Sequence, residues 1–289
     1  MKNVIPRVAA VHDMSGFGRC ALTVIIPVLS SLGIQVCPVP TAIMSTHSGG
    51  FGDFAFTDLT DGMDAYIDHW KKLNLKFDCI YSGFLGSAEQ IGIVSRFIDE
   101  FDDGEMLVAV DPVMGDDGKL YKTYNLEMQQ KMRQLVSKAH IVTPNMTEAA
   151  FLLEQEYTEK SITLEAAKHM LKALSLIGPD TVVITGTMID EKGYCNIGYS
   201  KKEEVFWLVK AKHVPVHYPG TGDIYASVLI GALLKGDALP VAMAKASQFV
   251  SEAASVTYSY SLPEREGVLL EKVLPLLQTE ECTAYEKIV

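Results

Sequence analysis

A mainly parallel β-sheet buried between helices is predicted by two features of this 289-residue chain. Short, continuously apolar runs rich in β-branched residues recur along it, and longer amphipathic stretches separate them. No Pro/Gly/Ser-rich linker, repeat or low-complexity tract interrupts the pattern, so residues 1–289 are expected to form a single domain.

In chain order, strands are expected at 8–11, 34–39, 79–81, 106–110, 141–143 and 181–185. Helices are expected between them at 19–32, 62–73, 87–101, 125–138, 147–155 and 163–177. Segments 193–200 and 203–209, joined at Lys201-Lys202, read as an antiparallel hairpin, with a third short strand at 213–217. The C-terminal third turns helical at 222–235, 239–258 and 265–278, and 279–289 reads as a loose tail. The stretch from about 40 to 61, rich in Gly, Ser, Thr and aromatics, reads as a small flap over the sheet edge.

Apolar residues make up 48% of the chain and charged residues 21%, enough for a core and against disorder. The net charge of −11 comes with no Lys/Arg cluster, which argues against nucleic acid and membrane partners. An acidic protein can still hold phosphate locally, through backbone N–H groups, a cation and one or two basic residues. Five widely spaced cysteines with no C-x-x-C pair read as free thiols in a reducing compartment. The N-terminal apolar run is too short for a signal peptide, so a cytoplasmic location is expected.

The chemistry is expected at three strand-to-helix junctions, because open α/β sheets bind ligands beyond their strand C-termini. At Pro219-Gly220-Thr221-Gly222-Asp223 a Gly-rich turn enters a long apolar helix. Gly220 and Gly222 permit φ > 0, so N–H groups can converge on an anion at the helix start. Asp223 is either an N-cap of that helix or a general base for a hydroxyl attacking phosphorus. Asp111-Pro112-Val113-Met114-Gly115-Asp116 places carboxylates where a hard cation could be held, mainly by phosphate oxygens and water. In Thr143-Pro144-Asn145-Met146-Thr147-Glu148, Asn145 and Glu148 would equally serve as a capping box. Taken together the three junctions fit a pocket for Mg²⁺ and ATP. P-loop, dinucleotide-binding, nucleophile-elbow and zinc-protease motifs are absent from the sequence.

These segments, with Tyr81-Ser82-Gly83-Phe84-Leu85-Gly86-Ser87 and Val183-Ile184-Thr185, resemble in order the ribokinase-like superfamily, and within it the pyridoxal/pyridoxamine kinases. The resemblance covers essentially the whole chain. It implies a three-layer α/β/α fold with a small flap, ATP and Mg²⁺, a homodimer, and phosphorylation of the 5'-hydroxymethyl group of a vitamin B6 compound in salvage. By that similarity Asp223 would be the base and Gly220, Thr221 and Gly222 the anion hole. Asp111, Asp116 and Glu148 would organise Mg²⁺ and phosphates, partly through water, while Tyr121, Thr143, Asn145 and Thr185 would lie along ATP.

For the acceptor, the similarity points to Asp13, His47, Ser48 and Phe84, the last stacking on a pyridine face or simply packing in the core. Asp13 stands where pyridoxal kinases commonly have Ser. The stretch Asp13-Met14-Ser15-Gly16 is similar to the hydroxymethylpyrimidine kinases, which makes that activity the nearest alternative. A carboxylate at 13 could also pair with the amine of pyridoxamine. A non-catalytic B6 or nucleotide binder is a third reading, disfavoured because a pure binder needs no base beside an anion hole. His12 receives no role.

Overall fold

The computed structural model describes residues 3–158, 161–212, 214–278 and 284–288. From the N-terminus run β1 (Arg7–Phe17), α1 (Leu22–Ser31), β2 (Gln35–Thr46), β3 (Phe56–Asp58), α2 (Thr60–Lys72), β4 (Cys79–Ser82) and α3 (Ala88–Phe101). Next come β5 (Leu107–Val110), β6 (Gly115–Asp116), β7 (Lys119–Leu120), α4 (Leu126–Val136), β8 (Ile141–Val142), α5 (Met146–Leu152) and α6 (Leu164–Ile177). The chain closes with β9 (Thr181–Ile189), β10 (Gly193–Ser200), β11 (Val205–Lys210), α7 (Thr221–Leu234), α8 (Leu239–Ser259), α9 (Leu270–Val273) and β12 (Glu286–Ile288).

Among the described residues one large sheet runs in the order β12-β11-β10-β9-β8-β5-β4-β1-β2-β3. The pairings from β2 through β1, β4, β5 and β8 to β9 are parallel, and both edges are antiparallel. The apolar strands still obey the two-residue alternation of a pleated sheet. Ala9, Val11, Ile80, Val110 and Ile184 face the layer of α2 to α6, whereas Val8, Ala10, Tyr81, Ala109 and Val183 face α1, α7 and α8. This is the three-layer α/β/α arrangement expected from the sequence. The small two-stranded flap β6–β7 lies beside the main sheet.

Local differences from the sequence reading have local causes. Helix α1 starts at Leu22, later than residue 19, because Gly18 (φ 91°) and Ala21 (φ 51°) hold the preceding turn in left-handed backbone. Within the 40–61 stretch, β2 continues to Thr46 and β3 pairs antiparallel with it at the sheet edge. The helix expected over 265–278 is broken by Gly267 (φ 74°) and Pro275 into two 3₁₀ turns around α9. No strand forms over residues 214–217, and His213 lies outside the described residues. Of the expected loose tail, 279–283 and 289 lie outside the described residues, while Glu286–Ile288 pairs with β11 as an edge strand.

Helix α7 is buried on all sides from Ile224 to Ala232, as expected for a helix sandwiched between the sheet and neighbouring helices. An added Cβ at Gly231 would stand 2.5 Å from the Leu32 side chain, so α7 sits hard against the end of α1. This packing fixes where the first turn of α7 lies. Replacing the fully buried Ile80 by Ala should lower the unfolding free energy by about 2–5 kcal/mol in urea denaturation, the usual cost of a core cavity.

Candidate active site

The parallel strands β1, β4, β5 and β8 end at one rim of the sheet, and the first turn of α7 opens on that rim. Helices α3, α4 and α6 have side-chain N-caps from Ser87, Asn125 and Thr163. Helix α7 has none: its N-cap is Gly220 in the left-handed region (φ 81°), and no side chain accepts from its first turn. The Thr221 hydroxyl turns back to donate to the Tyr218 carbonyl (2.9 Å). An uncapped helix start of this type favours a negative charge from outside the helix.

Gly220 answers two demands at once. Its φ excludes most side chains, and an added Cβ would lie 2.2 Å from the Arg19 carbonyl oxygen. Gly222 differs from the expectation: it has no positive φ, and a Cβ there would meet nothing within 4 Å. Its contribution is open space in front of the helix.

Asp223 belongs to the first turn of α7 but does not cap it. Its Oδ2 accepts from the Ala21 N–H (2.8 Å) and the Cys20 thiol (3.5 Å), both in the turn before α1. The side chain keeps 13% exposure, and Oδ1 lies 4.0 Å from His12 Nδ1. Burial raises the pKa of Asp223, an effect partly offset by the Ala21 and Cys20 donors and by His47. Cys20 and Ala21 were not legible in the sequence as site residues. Ala21 carries no chemical signature, and its only mark is a strained backbone conformation that requires coordinates to see.

Two further carboxylates share the rim. Asp13, at the bend of β1, accepts from the Ser15 hydroxyl (3.1 Å), and burial with the charge of Asp223 pushes it up to about 7. Asp111, just past β5, is pushed up to about 8 by burial and by Asp223. Glu148 is also raised, by burial and then by Asp111. Its capping role is formed: Oε2 accepts from Asn145 N (2.9 Å), Asn145 Oδ1 accepts from Glu148 N (2.9 Å), and Glu148 Oε1 accepts from Met114 N (3.2 Å). The Asn145 amide donates to the Gly115 carbonyl (3.0 Å), tying α5 to the flap.

The remaining expected residues divide. Thr143 is buried at the end of β8 with its hydroxyl turned toward Asp111, whose raised pKa it partly offsets, and Thr185 donates its N–H to the Pro144 carbonyl (3.0 Å). Tyr121, just after β7, is 38% exposed, and partial burial together with nearby Glu148, Asp116, Cys20 and Asp223 raises the pKa of its hydroxyl. Asp116 on β6 pairs with His217 at 3.5 Å. Phe84 is half-buried against the core, and its carbonyl accepts from the Thr41 hydroxyl (3.3 Å).

Ser48 is exposed, and His47 has both ring nitrogens engaged. Its Nδ1 accepts from Gly49 N (3.1 Å), so Nε2–H donates to the Arg265 carbonyl (2.6 Å). In this structure His47 clamps the loop after β2 to the Glu264–Glu266 turn, instead of presenting a free ring edge to an acceptor.

Among the described residues no three His, Cys, Asp or Glu side chains cluster as a metal cage. A divalent cation here would take most ligands from phosphate and water, as Mg²⁺ commonly does. No helix of the described residues is long and apolar enough to cross a membrane, and the four described cysteines are free.

The α/β fold with its mixed, mostly parallel sheet matches that of a pyridoxal kinase of Lactobacillus plantarum, 29% identical with a TM-score of 0.86 over 94% of this chain and 96% of that one. More closely, the chain belongs to the phosphomethylpyrimidine kinase family, whose model matches residues 26–267. It is 44% identical, with a TM-score of 0.93, to a provisionally assigned phosphomethylpyrimidine kinase of Bacteroides thetaiotaomicron VPI-5482 crystallised with pyridoxal; the match covers 98% of this chain and 100% of that one. A pyridoxine/pyridoxal/pyridoxamine kinase of Bordetella avium is 28% identical over 264 residues, 86% of this chain and 85% of that protein. The pyridoxal kinase of Leishmania donovani in complex with ADP and pyridoxamine is 18% identical, covers 98% of this chain and 99% of its own, and shares the fold with a TM-score of 0.87.

Gly220→Ala should lower the unfolding free energy by about 2 kcal/mol or more in urea titration, through backbone strain and the overlap with Arg19. A second expectation concerns pH. The folded-state pKa of Asp13 is raised, so the stability it contributes is complete below its unfolded value near 4 and is lost as pH rises through about 7. The advantage of Asp13→Asn over the parent should therefore grow by about 2–3 kcal/mol between pH 5 and pH 8, read from denaturation at the two pH values.

Proposed function

We propose that this kinase transfers the γ-phosphoryl group of ATP to the 5'-hydroxymethyl group of a B6 vitamer: pyridoxal, pyridoxamine or pyridoxine. The observation that carries the reading is the placement of Asp223. Its carboxylate is held from outside its own helix, one turn from an uncapped helix start, so a base and an anion cradle stand side by side. The pyridoxal in the Bacteroides crystal and the B6 kinase of Bordetella support the acceptor class.

In this reading Thr221, Gly222 and the turn at Gly220 receive the transferred phosphoryl group, and Asp223 takes the hydroxyl proton as the oxygen attacks phosphorus. Thr143, Asn145, Thr185 and Tyr121 border the nucleotide. Asp13, Phe84 and the His47-Ser48 loop border the acceptor. A triphosphate placed beside Asp111, Asp116 and Glu148 would repel them, and Mg²⁺ between phosphate and carboxylate relieves that repulsion. We extend the proposal to one kinase domain over 1–289, a homodimer, and a cytoplasmic site of action in B6 salvage, with no nucleic acid or membrane partner.

The second reading is hydroxymethylpyrimidine kinase. It is favoured by the family match and by Asp13 and Ser15, whose hydrogen bond sets a carboxyl at the acceptor side of the rim. ADP release with pyridoxal, pyridoxamine, pyridoxine and hydroxymethylpyrimidine separates the two. A B6 compound should give the highest kcat/KM, and a large preference for the pyrimidine would reverse the order. Asp223→Asn should lower kcat by about 10²-fold or more, and turnover retained within about threefold would remove Asp223 from the base role.

A further inference from the structure

His12 is a buried polar group at this rim to which the proposed chemistry gives no task. It is 0% exposed, and neither ring nitrogen has a hydrogen-bond partner. Burial pushes its pKa down to about 3 against a weak opposing contact with the Tyr81 backbone, so the ring is neutral and carries one N–H that has no partner at full hydrogen-bond geometry. Leaving a buried donor unsatisfied is costly, and structures rarely tolerate it without a reason.

The ring's surroundings fix its plane. Tyr81 packs edge-on at 4.4 Å, and a Cβ on Gly83 would stand 2.2 Å from His12 Cε1 and 2.3 Å from Nδ1. The glycine after β4 thus reserves the volume that the imidazole fills. Nδ1 is 4.0 Å from Asp223 Oδ1, whose sister oxygen is already anchored by Ala21 and Cys20. That gap is too long for a hydrogen bond and too short for a bridging water, which spans about 4.5 Å at tetrahedral angles. A shift of about 1 Å would bring the two atoms within hydrogen-bond distance.

We propose that His12 is a positioning residue for Asp223: once nucleotide and acceptor are bound, its neutral Nδ1–H donates to Asp223 Oδ1 and holds the carboxylate ionised and aimed at the acceptor hydroxyl. The inference rests on the reading of Asp223 as base. The groups facing Asp223 are Cys20 and Ala21 before α1, His12 and Asp13 on β1, Asp111 after β5, and His47 after β2. Asp13 and Asp111 oppose its ionisation, and the His47 nitrogens are occupied by Gly49 and Arg265. His12 is the neutral donor within reach whose only competing contact among the described residues is a weak one with the Tyr81 backbone.

The test compares His12→Ala, His12→Asn, whose amide nitrogen replaces Nδ1, and Asp223→Asn. For His12→Ala, kcat should fall about 10- to 100-fold with KM for ATP within about threefold, and the acid limb of the pH–rate profile should move to higher pH by about one unit. His12→Asn should recover at least about fivefold of that loss. Because a buried His→Ala change can impair folding, ¹⁵N-histidine NMR of the unaltered protein with ADP and pyridoxal gives an independent reading, with His12 protonated at Nδ1. An Nε2–H tautomer in that complex overturns the proposal, as does an unmoved acid limb with Asn no better than Ala. An active Asp223→Asn would defeat the base reading itself, whereas an inactive Asp223→Asn beside an unaffected His12→Ala defeats only the role of His12.

Discussion

Four carboxylates withdrawn from water at one rim of a parallel sheet are the constraint on which the rest of this structure depends. Asp13 and Asp111 each feel the charge of Asp223, and Glu148 in turn feels Asp111. Carboxylates in such a place resist ionisation unless donors or a cation meet them. The protein supplies donors sparingly: Ala21 and Cys20 for Asp223, Ser15 for Asp13, Thr143 for Asp111, and Asn145 and Met114 for Glu148. The remaining compensation is left for what binds, which suits a site that receives a nucleotide together with a divalent cation.

The fold holds the acids in place by burying what lies behind them. Parallel strands bring Asp13, at the bend of β1, and Asp111, just past β5, to the same rim, since the strands that carry them point one way. Helix α7 is enclosed on every side, so its first turn cannot retreat from that rim, and Gly220 lets the chain pass within contact of Arg19 to enter it. Side-chain caps satisfy α3, α4 and α6, whereas α7 is left open. Helices α1, α2 and α8 also lack side-chain caps, and what distinguishes α7 is that its open end, entered through left-handed Gly220, lies beside the buried carboxylates of the rim.

Much of this was legible in the residues, because its causes are local. Apolar β-branched runs separated by amphipathic stretches gave the sheet and its layers, and Gly220 preceding an apolar helix marked the open helix start. The capping box of Asn145 and Glu148 was readable from spacing alone and is formed. What escaped depends on distant segments meeting. Nothing near Cys20 or Ala21 signals that a helix two hundred residues later will present a carboxylate to them. His47 was read toward the acceptor, but its Nε2 is taken by Arg265, a partner visible only in three dimensions. Gly222 was assigned a strained conformation on residue type, and the helix simply includes it. His12 shows the same limit from the other side, since a buried imidazole without partners looks like any other histidine until its neighbours are known.

The most direct measurement is a crystal structure of the protein with a nonhydrolysable ATP analogue, Mg²⁺ and pyridoxal. The expected result places the terminal phosphate against the amides at Gly220–Asp223, with the acceptor hydroxyl within hydrogen-bond reach of the Asp223 carboxylate. A terminal phosphate bound elsewhere, or an acceptor whose hydroxyl faces away from Asp223, would contradict it.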